Sequence, residues 1–157
     1  MINISIPGYD EILIKNLILD YNGTLSKDGI LIDGVKERLN KIASLGVSIY
    51  IITADTNKTV NKQCSDITVS VIVVDKDRVT NDKLSLVESL GAEASFAIGN
   101  GRNDHLMLKA SKLSACIVGP EGAYGPNLAV SDIIITNIND GLDLILHPNR
   151  LIATLRG

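Results

Sequence analysis

Four places along this chain carry groups suited to chemistry on phosphorus, and short apolar runs lead to most of them. Asp20 ends the run Leu17-Ile18-Leu19 and opens onto Tyr21-Asn22-Gly23-Thr24. Thr53 ends the apolar stretch 47–53 and leads into Ala54-Asp55-Thr56. Lys83 stands near the start of an amphipathic stretch, and Gly99-Asn100-Gly101-Arg102-Asn103-Asp104 follows Phe96-Ala97-Ile98. A carboxylate can attack phosphorus and form an aspartyl-phosphate. A cation such as Mg²⁺ offsets the charge between that anion and a phosphate, and it binds through a few carboxylates plus water. Threonine hydroxyls and backbone N–H groups can hold phosphate oxygens, while a lysine neutralises both nucleophile and phosphate. Glycines such as Gly23 and Gly101 let backbone approach the ligand.

These groups must be brought to one place. Apolar runs at 11–20, 47–53, 69–74, 95–99, 114–119 and 132–136 are rich in Ile and Val and read as strands, most of them too continuous for one-sided burial. Stretches 34–46, 57–65, 82–91 and 103–112 have helical spacing, with Gly46 and Gly91 as stop signals. Residues 140–156 read as a last helix interrupted near Pro148. The opening residues 2–14 suggest a strand, a Pro-Gly turn and a second strand, forming an antiparallel edge. The alternation predicts an α/β fold: a mostly parallel sheet between helical layers, in one domain spanning 1–157. Ligands of such sheets bind beyond the carboxyl ends of the strands, where the four places above would gather.

Composition narrows the partners. A net charge of −3 with no dense basic run argues against nucleic acid or an anionic membrane, and 3% aromatic content argues against a base-stacking surface. No apolar run approaches a bilayer span, and the first residues lack a secretory signal pattern. Cys64 and Cys116 lack metal-ligand spacing and read as small buried residues in a reducing cytoplasm, a disulfide being the alternative.

The order and placement of these residues resemble the haloacid dehalogenase (HAD) superfamily. Asp20-Tyr21-Asn22-Gly23-Thr24 matches its first motif, DxDx[TV]; Thr53 matches its strand-closing Ser/Thr; Lys83 matches its lysine; and 99–104 matches GDGxND. DxxGTL at 20–25, TADT at 53–56 and GNGRND look most like the phosphorylation domain of P-type ATPases and the small soluble proteins named after them. The resemblance covers roughly residues 11 to 136. It implies a three-layer α/β/α Rossmann-like fold and an Mg²⁺-dependent phosphohydrolase, phosphatase- or ATPase-like, acting on a small phosphorylated substrate through phospho-Asp20. It also implies a phosphate site of Asp20, Gly23, Thr24, Thr53, Ala54, Lys83 and Asn103, and a metal site of Asp20, the Asn22 carbonyl, Asn100 and Asp104.

Bland readings stand beside these. Asp20 could be a turn aspartate, Thr24 a turn-stabilising hydroxyl, Thr53 and Asp55 helix caps, and Asp104 a helix N-terminal acid. Lys76 competes with Lys83. Arg102 faces substrate or solvent, His105 and His147 read as surface or structural, and 119–125 reads as a plain loop.

Two amides depart from the family pattern. Many members have a second aspartate at the position of Asn22 as general acid and base, a function worth ~10²–10⁴-fold. Asn22 cannot titrate, so slow phosphoenzyme hydrolysis or a good leaving group is expected. Asn100 stands where the family has a metal-binding aspartate, so weaker metal affinity is expected. No segment is long enough for a cap: residues 21–33 fit a tight turn and a small hairpin tipped by Lys27-Asp28-Gly29, and 75–82 offer no room. An open site implies a large substrate or a lid from another subunit, hence a homo-oligomer, dimer or tetramer. The alternative is a catalytically weak phosphate-binding regulator on the same scaffold.

Overall fold

The computed structural model describes residues 1–54 and 59–157. In chain order its elements are β1 (Ile2–Ser5), β2 (Glu11–Ile14), β3 (Asn16–Asp20), β4 (Ser26–Lys27), β5 (Ile30–Leu31), α1 (Val35–Ser44), β6 (Ser48–Thr53), α2 (Thr59–Gln63) and β7 (Ser70–Val73). They continue with α3 (Val79–Leu90), β8 (Ser95–Gly99), α4 (His105–Ala110), β9 (Leu113–Ile117), α5 (Asn127–Val130), β10 (Ile133–Ile135), α6 (Ile138–Leu146) and α7 (Pro148–Leu155).

Six strands form one parallel sheet in the order β10-β9-β8-β3-β6-β7. β3 lies between β6 and β8, in register Asp20 with Ile52 and Leu19 with Ile98. Every residue of β3, β8 and β9 is buried, which explains their continuous apolar runs. The pleat sends successive side chains to opposite layers. Leu17 and Leu19 join a core that holds Leu39 and Ile42 of α1 and Leu142 and Ile145 of α6. Ile18 joins a second core with Val87 of α3 and Met107 and Leu108 of α4. The result is the expected three-layer arrangement. Strand order reverses direction between β3 and β8, which opens a crevice at their carboxyl ends.

The expectation of one strand over 11–20 is corrected. Lys15 breaks it: β2 pairs antiparallel with β1 in a separate two-stranded sheet, so this hairpin is not an edge of the main sheet. Lys15 is held by its own long-range backbone bonds, its N–H to the Ala94 carbonyl at 2.9 Å and its carbonyl to Ser48 N–H at 2.9 Å. The third expected helix starts earlier, at Val79 rather than 82, because nothing in 79–81 interrupts it. The short helix α5 carried no sequence signal strong enough to be expected.

β4 and β5 form the small hairpin expected after Asp20. Asp28 and Gly29 at its tip have φ of 51° and 76°, the positive values of a type I′ turn. No cap is inserted here, nor between β7 and α3. Among the described residues no helix is long and apolar enough to cross a membrane.

Candidate active site

β3 delivers Asp20 to the carboxyl edge of the sheet, where it is 7% exposed. The chain turns at once: the Tyr21 carbonyl accepts N–H bonds from Thr24, Leu25 and Ser26 at 3.2, 2.9 and 3.0 Å. Gly23 makes that turn with φ of 77°, and a Cβ on it would lie 2.5 Å from Asn100 Nδ2. Both the backbone angle and the clearance therefore require glycine. The turn aims Thr24 back at the strand end, so that its hydroxyl lies 3.2 Å from Asp20 Oδ2 and 3.2 Å from Asn100 Oδ1.

Lys83 and Val87 are the buried pair on the inward face of α3, one turn apart. Lys83 is fully buried, and its ammonium donates to Asp20 Oδ1 and Asp104 Oδ1, both at 2.6 Å, and to Asn103 Oδ1 at 3.4 Å. Asp104 is fully buried too, and its Oδ2 accepts the N–H groups of Asn100 at 3.0 Å and Gly101 at 2.8 Å. Gly99 makes room for this, since a Cβ there would sit 2.5 Å from Asp104 Cγ. Burial and the charge of Asp20 push Asp104 up to about 6, against the pull of Lys83. Burial alone would lower Lys83, but the two carboxylates prevail and raise it.

A cavity of about 770 Å³ opens above this cluster. Asp20, Asn22, Thr53, Ala54, Asn100 and Asn103 line its floor, and the β4–β5 hairpin contributes Asp28, Gly29 and Ile30 to its wall. Thr53 closes β6 and is 2% exposed. Thus Asp20, Asn22, Thr53, Ala54, Asn100 and Asn103 face one cavity, with Gly23, Thr24, Lys83 and Asp104 packed behind them. Lys83 rather than Lys76 meets Asp20; Lys76 lines the cavity but is exposed. Arg102 and His147 are exposed, Cys64 and Cys116 are buried and free, and Asp55 lies outside the described residues.

Several contributors escaped the sequence reading. Gln63 of α2 clamps the hairpin, donating to the Gly29 carbonyl at 2.7 Å and accepting from Leu31 N–H at 2.6 Å. Asn127 is fully buried and donates to the Gly101 carbonyl at 2.8 Å, while its Oδ1 lies 3.0 Å from His105 Nδ1. His105 is therefore tied into the site's supporting loop. Local sequence offered no cue to either amide beyond Asn127 following Gly125-Pro126.

The oxygens at and just behind the floor also bear on a cation. Asp20 Oδ2, Thr24 Oγ1 and Asn100 Oδ1 share one hydroxyl proton between the two 3.2 Å contacts. That leaves a hard-oxygen set short of donors, a suitable complement for Mg²⁺ completed by water and phosphate. No group of three or more His, Cys, Asp or Glu able to hold a metal occurs among the described residues.

No protein-family model matches the chain. The uncharacterized protein MJ0073 of Methanocaldococcus jannaschii is 43% identical over 90 residues, which is 53% of this chain and 97% of that protein. The uncharacterized protein MJ0072 of the same organism is 48% identical over 42 residues, 27% of this chain and 93% of that protein. Among solved structures, 3-deoxy-D-manno-octulosonate 8-phosphate phosphatase from Moraxella catarrhalis, in complex with magnesium, phosphate and KDO, gives a TM-score of 0.71 at 21% identity, covering 91% of this chain and 94% of that one. The cobalt-bound deoxy-D-mannose-octulosonate 8-phosphate phosphatase from Haemophilus influenzae gives 0.71 at 14% identity, covering 85% and 87%. A phosphoserine phosphatase in apo form gives 0.66 at 14% identity, covering 85% and 98%. At these identities the likeness is one of fold.

Proposed function

The chain belongs to the same family as MJ0073 and has the capless fold of the HAD superfamily, and from that premise we propose that it is a phosphohydrolase working through phospho-Asp20. The observation that carries this reading is the ammonium of Lys83 held 2.6 Å from Asp20 Oδ1 at the floor of an open cavity. Oδ1 is held by the Lys83 ammonium at 2.6 Å, while Oδ2 meets only the Thr24 hydroxyl at 3.2 Å, a proton shared with Asn100, so Oδ2 is the oxygen that attacks in this reading. It forms a bond to phosphorus as the leaving oxygen departs with its bonding electrons. Water then forms the second bond to phosphorus, Asp20 leaves as a carboxylate, and the water proton passes to solvent.

Lys83 holds Asp20 Oδ1 and takes up part of the phosphate charge, while Asp104 holds Lys83 and the 100–101 backbone in place. Thr53, the Ala54 backbone and Asn103 are the phosphate contacts in this reading. Asp20, the Asn22 carbonyl and Asn100 would hold Mg²⁺, which supplies charge neutralisation between nucleophile and phosphate. Asp104 joins that site from behind, since both its oxygens already have partners. No titrating side chain stands at 22, so leaving groups needing no strong acid, such as acyl phosphates or nucleotides, suit the site.

The test is incubation with acetyl phosphate or ATP and Mg²⁺. A hydroxylamine-labile adduct is expected on the native protein and none on Asp20→Asn. Asn22→Asp should raise turnover by restoring the acid-base group; an unchanged or lower rate counts against that account. The amides at 22 and 100 favour a second reading, a phosphate-binding regulator. Saturable phosphate binding without any adduct would select it.

A further inference from the structure

Asn100 makes one contact that the family's aspartate could not make. Its Nδ2 donates to the Gly122 carbonyl at 3.1 Å while Oδ1 faces Thr24. A carboxylate at 100 would set an oxygen against that carbonyl with no proton between them. The backbone adds a second tie, Tyr124 N–H to the Asn100 carbonyl at 2.8 Å. The turn carrying Gly122 is closed by its own N–H bond to the Gly119 carbonyl at 2.9 Å. Glu121, in the same turn, reaches the other way: its Oε1 accepts the N–H of Asp28 at 2.9 Å. Asp28 is at the hairpin tip and lines the cavity. Two hydrogen bonds, joined by the covalent Glu121–Gly122 link, therefore connect Asn100 on the floor to Asp28 at the hairpin tip.

We infer that Asn100 is a positioning residue: its amide latches the 119–125 loop to the floor, and Glu121 carries the state of that floor to the hairpin at Asp28. This rests on the phosphate-and-cation reading of the floor for its second half only. A ligand that fixes Oδ1 of Asn100 restricts the amide plane, and with it the Nδ2 bond, the loop and the hairpin tip. The amide at 100 thereby does structural work that a carboxylate would forfeit.

Amide hydrogen exchange, followed at single residues by NMR, tests both halves on the full chain with Mg²⁺ and inorganic phosphate as probe. Native protein should show slower exchange at Asp28 when both are present. Asn100→Asp should speed exchange at Gly122 and Tyr124 about fivefold, the change one net hydrogen bond supports, even while direct calorimetry shows Mg²⁺ binding strengthened by the new carboxylate. Glu121→Ala, which leaves the floor untouched, should abolish the ligand-dependent slowing at Asp28 while Asn100 and Gly101 stay protected. Unchanged exchange at Gly122 and Tyr124 in Asn100→Asp overturns the latch. Full ligand-dependent slowing at Asp28 in Glu121→Ala overturns the relay, as does native protein that binds both probes with no change at Asp28. If native protein binds neither probe, the phosphohydrolase reading and the relay built on it fail together, and the Asn100→Asp arm still decides the latch.

Discussion

Two clusters of three charges lie on different sides of this protein, and each has the composition of the other with the signs reversed. At the site, Lys83 stands between the carboxylates of Asp20 and Asp104, with side-chain exposures of 0%, 10% and 0%. On the flank of α1, α6 and α7, Asp143 stands between Arg38 at 2.8 Å and Arg150 at 3.4 Å, with exposures of 14%, 28% and 55%. Water screens the second cluster, and such pairs contribute ~0–1 kcal/mol. The first has lost its water, so attraction within it is offset by desolvation and the set is weak as a stabiliser. Removing one member is another matter, because the others are left charged and buried. A cluster so poor at stabilising the fold, and placed at the topological switch point, fits the role proposed for it, that of holding Asp20.

Replacing Lys83 by Met should therefore give the largest effect. Asp20 and Asp104 would face each other without the ammonium, and stability should fall by roughly 3–5 kcal/mol, the scale of a broken buried pair. Adduct formation should vanish. Adding Asp104→Asn to Lys83→Met should recover part of the stability and none of the adduct. Denaturant titration reads the first quantity and hydroxylamine-labile labelling the second. A Lys83→Met protein as stable as the native one would erase the contrast between the clusters.

Acid should separate them by sign. Burial pushes Asp104 up to about 6 in the folded chain, against an ordinary value of 3.8, so folding is favoured as pH falls through that window. Burial also pulls Asp143 upward, but the Arg38 hydrogen bond prevails and holds it below 3.8. Its stabilisation is complete above 3.8 and is lost as pH falls through the folded value. Measured against native protein, Asp104→Asn should become relatively less stable on acidification, and Asp143→Asn relatively more stable. Slopes of the same sign in the two variants would refute the assignment.

How much of this was readable beforehand differs between the same two regions. Asp20, Thr53 and 99–104 stood out because central strands are buried on both faces and their apolar runs end where the cavity begins. Lys83 was readable only through its order among these motifs; its burial against two carboxylates needs the α3 face turned inward by Val87. The break at Lys15 was invisible, because Ile12, Ile14, Leu17 and Leu19 are all buried and only long-range backbone pairing separates the two strands. Asn127 and Gln63 were missed for the same reason, their partners Gly101 and Gly29 being distant in sequence. Arg38, Asp143 and Arg150 belong to three helices whose packing brings them together, and no spacing rule links residue 38 to residue 143.

The smallest expected effect gives the sharpest contrast. Asp143→Asn should shift the unfolding midpoint by an amount within the ~1 kcal/mol range of partly exposed pairs and leave adduct formation unchanged. At roughly 1 M salt the Debye length falls to about 3 Å, which screens charges in contact with water and hardly touches buried ones. Salt should therefore erase most of the Asp143→Asn difference and leave the Lys83→Met difference nearly intact. A Lys83→Met deficit that shrinks in parallel would mean that solvent reaches the Asp20–Lys83–Asp104 cluster. Its strength would then be that of a surface pair, and Asp20 would need another source of activation.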